Sequence, residues 1–199
     1  MTQSEAMLGL FVGIGLSAAC GFRIFVPLLG MSIASMTGHL ELAPGFEWIG
    51  SPLAVTTFAA ATILELAAYY IPWIDNALDS VTTPAAVVAG TIVTAAMVGD
   101  MSPYLRWSLA AIAGGGAAAL VQGGTVLVRG ASSGTTGGLA NPLISTGEFA
   151  ASTMMTLLAI LVPVIAAILV VLFAVWMVRL IARVIRKRRG HTTSPPVMM

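Results

Sequence analysis

Few side chains in this 199-residue chain can do chemistry, and the ones that can stand inside or beside apolar runs. Arg23 lies in CGFRIFVP between Gly21 and Pro27, and Glu65 lies in ILELAA. A charge at hydrocarbon depth needs a partner or a wet cavity, so Glu65 is the natural counter-charge of Arg23, either as a structural ion pair or as a proton or ion site. Asp75 and Asp79, four apart with Asn76 beside them, share one face of any helix formed there. Oxygen clusters suit hard cations, yet helix capping or solvated interfacial charge explains two carboxylates equally well. The third group is Gly130 to Gly147, GASSGTTGGLANPLISTG, preceded by Arg129 and closed by Glu148. Its backbone amides and the helix start at Asn141-Pro142 offer a concave donor site for an anion; a flexible external loop is the alternative.

Other chemistry is excluded by what is missing. The single cysteine, Cys20, rules out a disulfide framework and a CxxC site. His39 falls in a connection and His191 in the tail, and no phosphate-binding GxxxxGK[ST] motif occurs. Ser17, Ser32 and Ser145 have no evident activating partner. The expectation is a protein that is not an enzyme and holds no metal and no cofactor.

The elements that must position these residues follow from composition. Hydrophobic residues make up 58% of the chain and charged ones 9%, against about 25% charged in an ordinary soluble domain. That excludes a soluble globular domain, a disordered chain and a nucleic-acid binder. The fold class is an all-α membrane protein with about five transmembrane helices and one or two broken or re-entrant elements. Four apolar segments open on a capping residue followed by proline: Ser51-Pro52, Thr83-Pro84, Ser102-Pro103 and Asn141-Pro142. The spans read as Met7 to Ser35, Pro52 to Ile71, Pro84 to Gly99, Pro103 to Val128 and Phe149 to Val178. A helix over the first of these is about 43 Å long, so Gly21 and Pro27 are expected to break it around Arg23. Residues 72–83 and 134–147 are too apolar for ordinary loops and are expected to be re-entrant or interfacial. Gly9, Gly13, Ser17 and Gly21 form one small-residue ladder and Gly115, Ala119 and Gly123 a second, suited to packing within the bundle or between subunits.

Six of the nine basic residues sit at the C-terminal end: Arg179, Arg183, Arg186, Lys187, Arg188 and Arg189. They divide the chain into a transmembrane domain, 1–178, and a basic tail, 179–199, whose end is expected to be disordered. Basic residues flanking spans stay cytoplasmic, which puts this tail inside and, with five spans, the acidic N-terminus and the Asp75/Asp79 connection outside and Arg106 inside. Arg129 then falls outside, against the bias. Arg183, Arg186, Lys187, Arg188 and Arg189 also suit contact with anionic lipid.

Three segments, CGFRIFVPLLG from Cys20, PWIDNALD from Pro72 and SSGTTGGLANP from Ser132, in this order, resemble a family of small bacterial integral membrane proteins described as a domain of unknown function. The resemblance covers about residues 8 to 165. It departs at Thr135-Thr136, an insertion relative to an SSGGLANP form, and the basic tail lies beyond it. It implies a bacterial inner-membrane protein whose Gly21, Arg23, Pro27, Asp75, Asp79, Asn141 and Pro142 belong to one site or structural device. It implies no activity. A short match between VPLL at Val26 and NPLI at Asn141 hints at an internal repeat of the kind transporters use.

The leading expectation is a small transporter or channel for an ion or polar solute, a homo-oligomer in the bilayer, with Gly21, Arg23, Pro27, Glu65, Asp75, Asn76, Asp79, Asn141, Pro142 and Glu148 along the path. The alternative is a membrane scaffold or lipid-handling protein.

Overall fold

The structure, a computed structural model, describes residues 3–69, 72–99 and 101–191, with the side chains of 3, 72–79, 181 and 184–191 outside that description. Proline and glycine set most helix boundaries. α1 runs Gln3–Cys20, α2 Phe25–Met36, α3 Pro52–Tyr69 and α4 Pro72–Met97. α5, Pro103–Leu109, passes through a π-helical turn, Ala110–Gly115, into α6, Gly116–Thr136; α7 is Asn141–Leu161 and α8 Pro163–His191. No strand occurs among the described residues. The Ser51 hydroxyl accepts the Ala54 N–H at 3.1 Å and the Ser102 hydroxyl the Leu105 N–H, so those two capped starts form as the sequence implies.

Three expected boundaries are corrected. Pro84 lies inside α4 rather than at a helix start, a position tolerated in membrane helices because neighbouring groups re-satisfy the freed carbonyl. Residues 72–83 are therefore the first turns of α4, not a re-entrant connection. Residues 134–147 are the end of α6, a turn at 137–140 and the start of α7, so they are not re-entrant either. Gly137 and Gly138 make that turn in the left-handed region, at φ +63° and +86°. Last, the apolar run from Phe149 to Val178 is two helices: Val162 leaves helical geometry at φ −140°, ψ 67°, and Pro163, with no N–H to donate, opens α8.

Among the described residues, five helices are long and apolar enough to cross a bilayer: Pro52–Tyr69, Ser80–Met97, Pro103–Thr136, Asn141–Leu161 and Pro163–Leu180. α1 and α2, of 18 and 12 residues, make a hairpin that enters and returns to one face. Gly9 packs on the Met97 carbonyl near the end of α4, and beyond α2 the Ala43 N–H donates to the Ala96 carbonyl at 2.7 Å. The single long first span of the sequence reading is thus a re-entrant pair, while the break at 21–24 is where the sequence places it. One consequence is topological: residues 37–51 lie on the face where α1 begins, and the C-terminal end of α3 points toward the same face as the 137–140 turn and the far end of α8.

α1 is the central post. Leu16, Ala18, Ala19 and Cys20 are fully buried, and Met31 of α2, Val93 of α4, Ala159 of α7 and Ala166 of α8 belong to the core that packs around α1. The first small-residue ladder is what admits these neighbours. A side chain at Gly9 would strike Met97, at Gly13 Thr94, and at Gly21 the Ala118 carbonyl and Val121, while Ser17 donates to the Gly90 carbonyl at 2.6 Å. That ladder packs within the chain on α4 and α6. In the second ladder only Gly115 packs on α4; Ala119 is exposed and Gly123 faces open space. α3 is peripheral, with Leu53, Ile63 and Leu64 all more than two-thirds exposed, a surface suited to lipid rather than water.

Candidate functional site

Breaking a helix at hydrocarbon depth frees carbonyls on one side and N–H groups on the other, and lipid satisfies neither. Side chains from two neighbouring helices do. The Ser152 hydroxyl, on α7, donates to the Ala19 carbonyl at 3.0 Å at the end of α1. The Glu65 carboxylate, on α3, accepts the Ile24 N–H at 3.0 Å and the Phe25 N–H at 3.2 Å at the start of α2. A carboxylate there also meets the positive end of the helix dipole. Gly21 lets the turn press against α6, and Pro27, buried in the first turn of α2, gives up an N–H that has no acceptor in a first turn.

This assigns Glu65 a partner the sequence reading did not give it. Glu65 caps α2, and among the described residues no ion pair joins it to Arg23. The Arg23 side chain, 1% exposed, crosses to α7, where Nη2 donates to the Ser145 carbonyl at 3.0 Å, to the Ser145 hydroxyl and to Glu148 Oε2 at 3.2 Å. Arg129, on α6 and 3% exposed, takes the same carboxylate as a two-pronged fork, Nε on Oε1 at 2.9 Å and Nη2 on Oε2. Both guanidinium carbons lie over the ring of Tyr69, at 3.8 and 4.2 Å from its centroid. The Tyr69 hydroxyl donates to Thr82 Oγ1, which also receives Gln122 Nε2. Arg23 Nε and Nη1 are buried with no hydrogen-bond partner among the described residues.

Among the described residues, two arginines and two glutamates therefore meet at the tip of the hairpin, Glu65 half-buried and the other three buried. Its depth follows from α7: Glu148 is seven residues from Asn141 and thirteen from Leu161, or about 10 and 20 Å. The cluster sits in the membrane half nearer the end of α8.

The positions singled out in the sequence divide into three groups. Gly21, Arg23, Pro27, Glu65 and Glu148 come together at the tip. Asn141 and Pro142 sit two turns away on α7, where buried Asn141 donates to Ser133 at 3.3 Å; residues 130–136 and 141–147 are helical, so no continuous amide cradle forms along that stretch. Asp75, Asn76 and Asp79 lie on the backbone of α4, but their side chains, like those of Arg186, Lys187, Arg188 and Arg189, are outside the described residues. Sequence reasoning missed Tyr69, Ser145 and Ser152. One signal for the last two was available: Asn141, Ser145, Glu148, Ser152 and Thr156, all buried, repeat at three or four residues and form a polar stripe on an otherwise apolar helix.

The match to a family model, described as "Domain of unknown function (DUF4126)", runs over residues 10–183. This chain belongs to that family. The family region takes in the whole bundle and reaches Arg183, further than the 8–165 that the motifs suggested. No curated protein and no solved structure matches the chain. The chain is an all-helical, multi-pass membrane protein of this family.

Proposed function

We propose that the protein is a small membrane transporter or channel for an ion or small polar solute, with the tip of the α1–α2 hairpin as its central site. The observation that carries this is Arg23: a cation buried at the break of a re-entrant hairpin, with Nε and Nη1 lacking a hydrogen-bond partner among the described residues. Buried donors are nearly always satisfied, and an arginine placed only to brace the bundle would have its N–H groups taken up. Glu148 is shared by two guanidinium groups, so a solute that draws Arg23 away leaves the carboxylate held by Arg129.

Flux of a panel of labelled anions, cations and small polar solutes into proteoliposomes tests this. Flux of at least one, lowered tenfold or more by Arg23→Gln in a variant that remains monodisperse, is the expected result. No flux above empty vesicles for any member refutes it. In this proposal the protein is a bacterial inner-membrane homo-oligomer, not an enzyme and without a cofactor. The end of α8 is cytoplasmic, and Arg183, Arg186, Lys187, Arg188 and Arg189 face anionic lipid. That orientation places Arg129 on the cytoplasmic half, in keeping with the positive-inside bias, and leaves Arg106 outside. The alternative, a scaffold or lipid-handling protein, draws support from an apolar cleft in the lipid-facing surface, and a stoichiometric co-purifying partner without flux favours it.

A further inference from the structure

A cleft of about 410 Å3 opens between α6, α7 and α8. Its inner end is formed by Phe22, Val121 and Phe173, and its outer end by Val128, Ile144 and Leu180. Among the described residues, Thr125 and Glu148 are the hydroxyl and the carboxylate that reach it, beside the Trp176 indole. Both are engaged elsewhere: Thr125 donates to the Gln122 carbonyl at 2.9 Å, and Glu148 holds the two arginines. The lining therefore offers a ligand apolar contact and almost nothing else.

The outer end differs. Trp176 and Leu180 belong both to this cleft and to a neighbouring recess that contains Arg179 and Arg183. The two arginines are one turn apart on α8, both exposed. Arg179 and Arg183 open the basic run that follows the apolar stretch of α8 in the sequence, so they stand at the membrane–water boundary while the cleft runs inward from them along the hydrocarbon. An apolar channel at acyl-chain depth that ends in two cations at headgroup depth has the amphipathic layout of one phospholipid.

We infer that this cleft is a binding site for a single anionic phospholipid, one acyl chain lying between α6, α7 and α8 and the headgroup phosphate on Arg179 and Arg183. Two cations, with no carboxylate among the described residues of the recess, favour a headgroup of net negative charge over a zwitterionic one. The site is independent of transport and stands whether or not the hairpin tip conducts.

Trp176 reports on it directly. In the full chain carrying Trp48→Phe, Trp73→Phe and Trp107→Phe, brominated phosphatidylglycerol is expected to quench the remaining indole at a several-fold lower mole fraction than brominated phosphatidylcholine. Arg179→Gln with Arg183→Gln removes the difference between the two lipids. Gly147→Leu, whose side chain enters open space in the cleft wall, lowers quenching by both. Equal quenching by both lipids in the parent, or no effect of Gly147→Leu, overturns the inference, as does shielding of Trp176 from both lipids by a second copy packed on this face. Should the tryptophan replacements prevent folding, native mass spectrometry of the unmodified chain decides. One retained phosphatidylglycerol that is lost with the double arginine variant supports the site, and none retained refutes it.

Discussion

Among the described residues Glu148 is the carboxylate that both buried arginines contact, and Glu148→Gln is the sharpest test of the charged cluster. Both Nη2 atoms contact Oε2, so the two guanidinium groups lie within roughly 6 Å of one another, where unit like charges at an effective dielectric constant near 20 repel by about 3 kcal/mol. The replacing amide accepts from one guanidinium only and turns its own N–H groups toward the other. Removing one partner of a buried pair costs about 3–5 kcal/mol, and the repulsion is contained in that figure. All three residues are at least 94% buried, so water screens little of it. At about 2–4 °C per kcal/mol for a chain of this size, the midpoint of thermal unfolding in nanodiscs is expected to fall by about 6–20 °C. Adding Arg129→Gln removes the repulsion and recovers part of the loss, although each substitution alone destabilises. A midpoint within about 2 °C of the unmodified chain, or a double variant no more stable than Glu148→Gln, refutes the account of this cluster as a mutually dependent trio.

Two further outcomes follow from the fold. Gly21→Ala places a Cβ 2.6 Å from the Ala118 carbonyl oxygen and 2.6 Å from Val121 Cβ; because the oxygen belongs to backbone that cannot swing aside, stability should drop by about 1–3 kcal/mol, whereas Gly123→Ala, facing open space, should stay within about 0.5 kcal/mol or gain slightly through helix propensity, both read by thermal unfolding. The re-entrant hairpin makes a topological demand: in a Cys20→Ser background, cysteines introduced at Glu5, Pro44 and Ser102 should react with a membrane-impermeant maleimide from one side and a cysteine at Gly137 from the other, whereas reaction at Glu5 and Pro44 from opposite sides would restore a single long first span.

The amino-acid sequence determines on its own what depends on depth and local geometry. Its scarcity of charge makes it a membrane protein, and Gly21 and Pro27 on either side of Arg23 break the first apolar helix where the structure breaks it. Ser51-Pro52 and Ser102-Pro103 start helices because cap and proline act within a single turn. Pairing is different in kind. Glu65 and Glu148 both lie at hydrocarbon depth, and hydropathy cannot tell which one Arg23 meets; that depends on α2 folding back beside α3, which gives Glu65 to the free amides of α2 and leaves Arg23 to reach across to α7. The same return of the chain decides which connections share a face, because a break in a helix is written locally but the direction taken after it is not. Pro84 and Pro163 make the point at a smaller scale: each removes one N–H, the same local loss, yet the helix runs on through 84 and ends before 163.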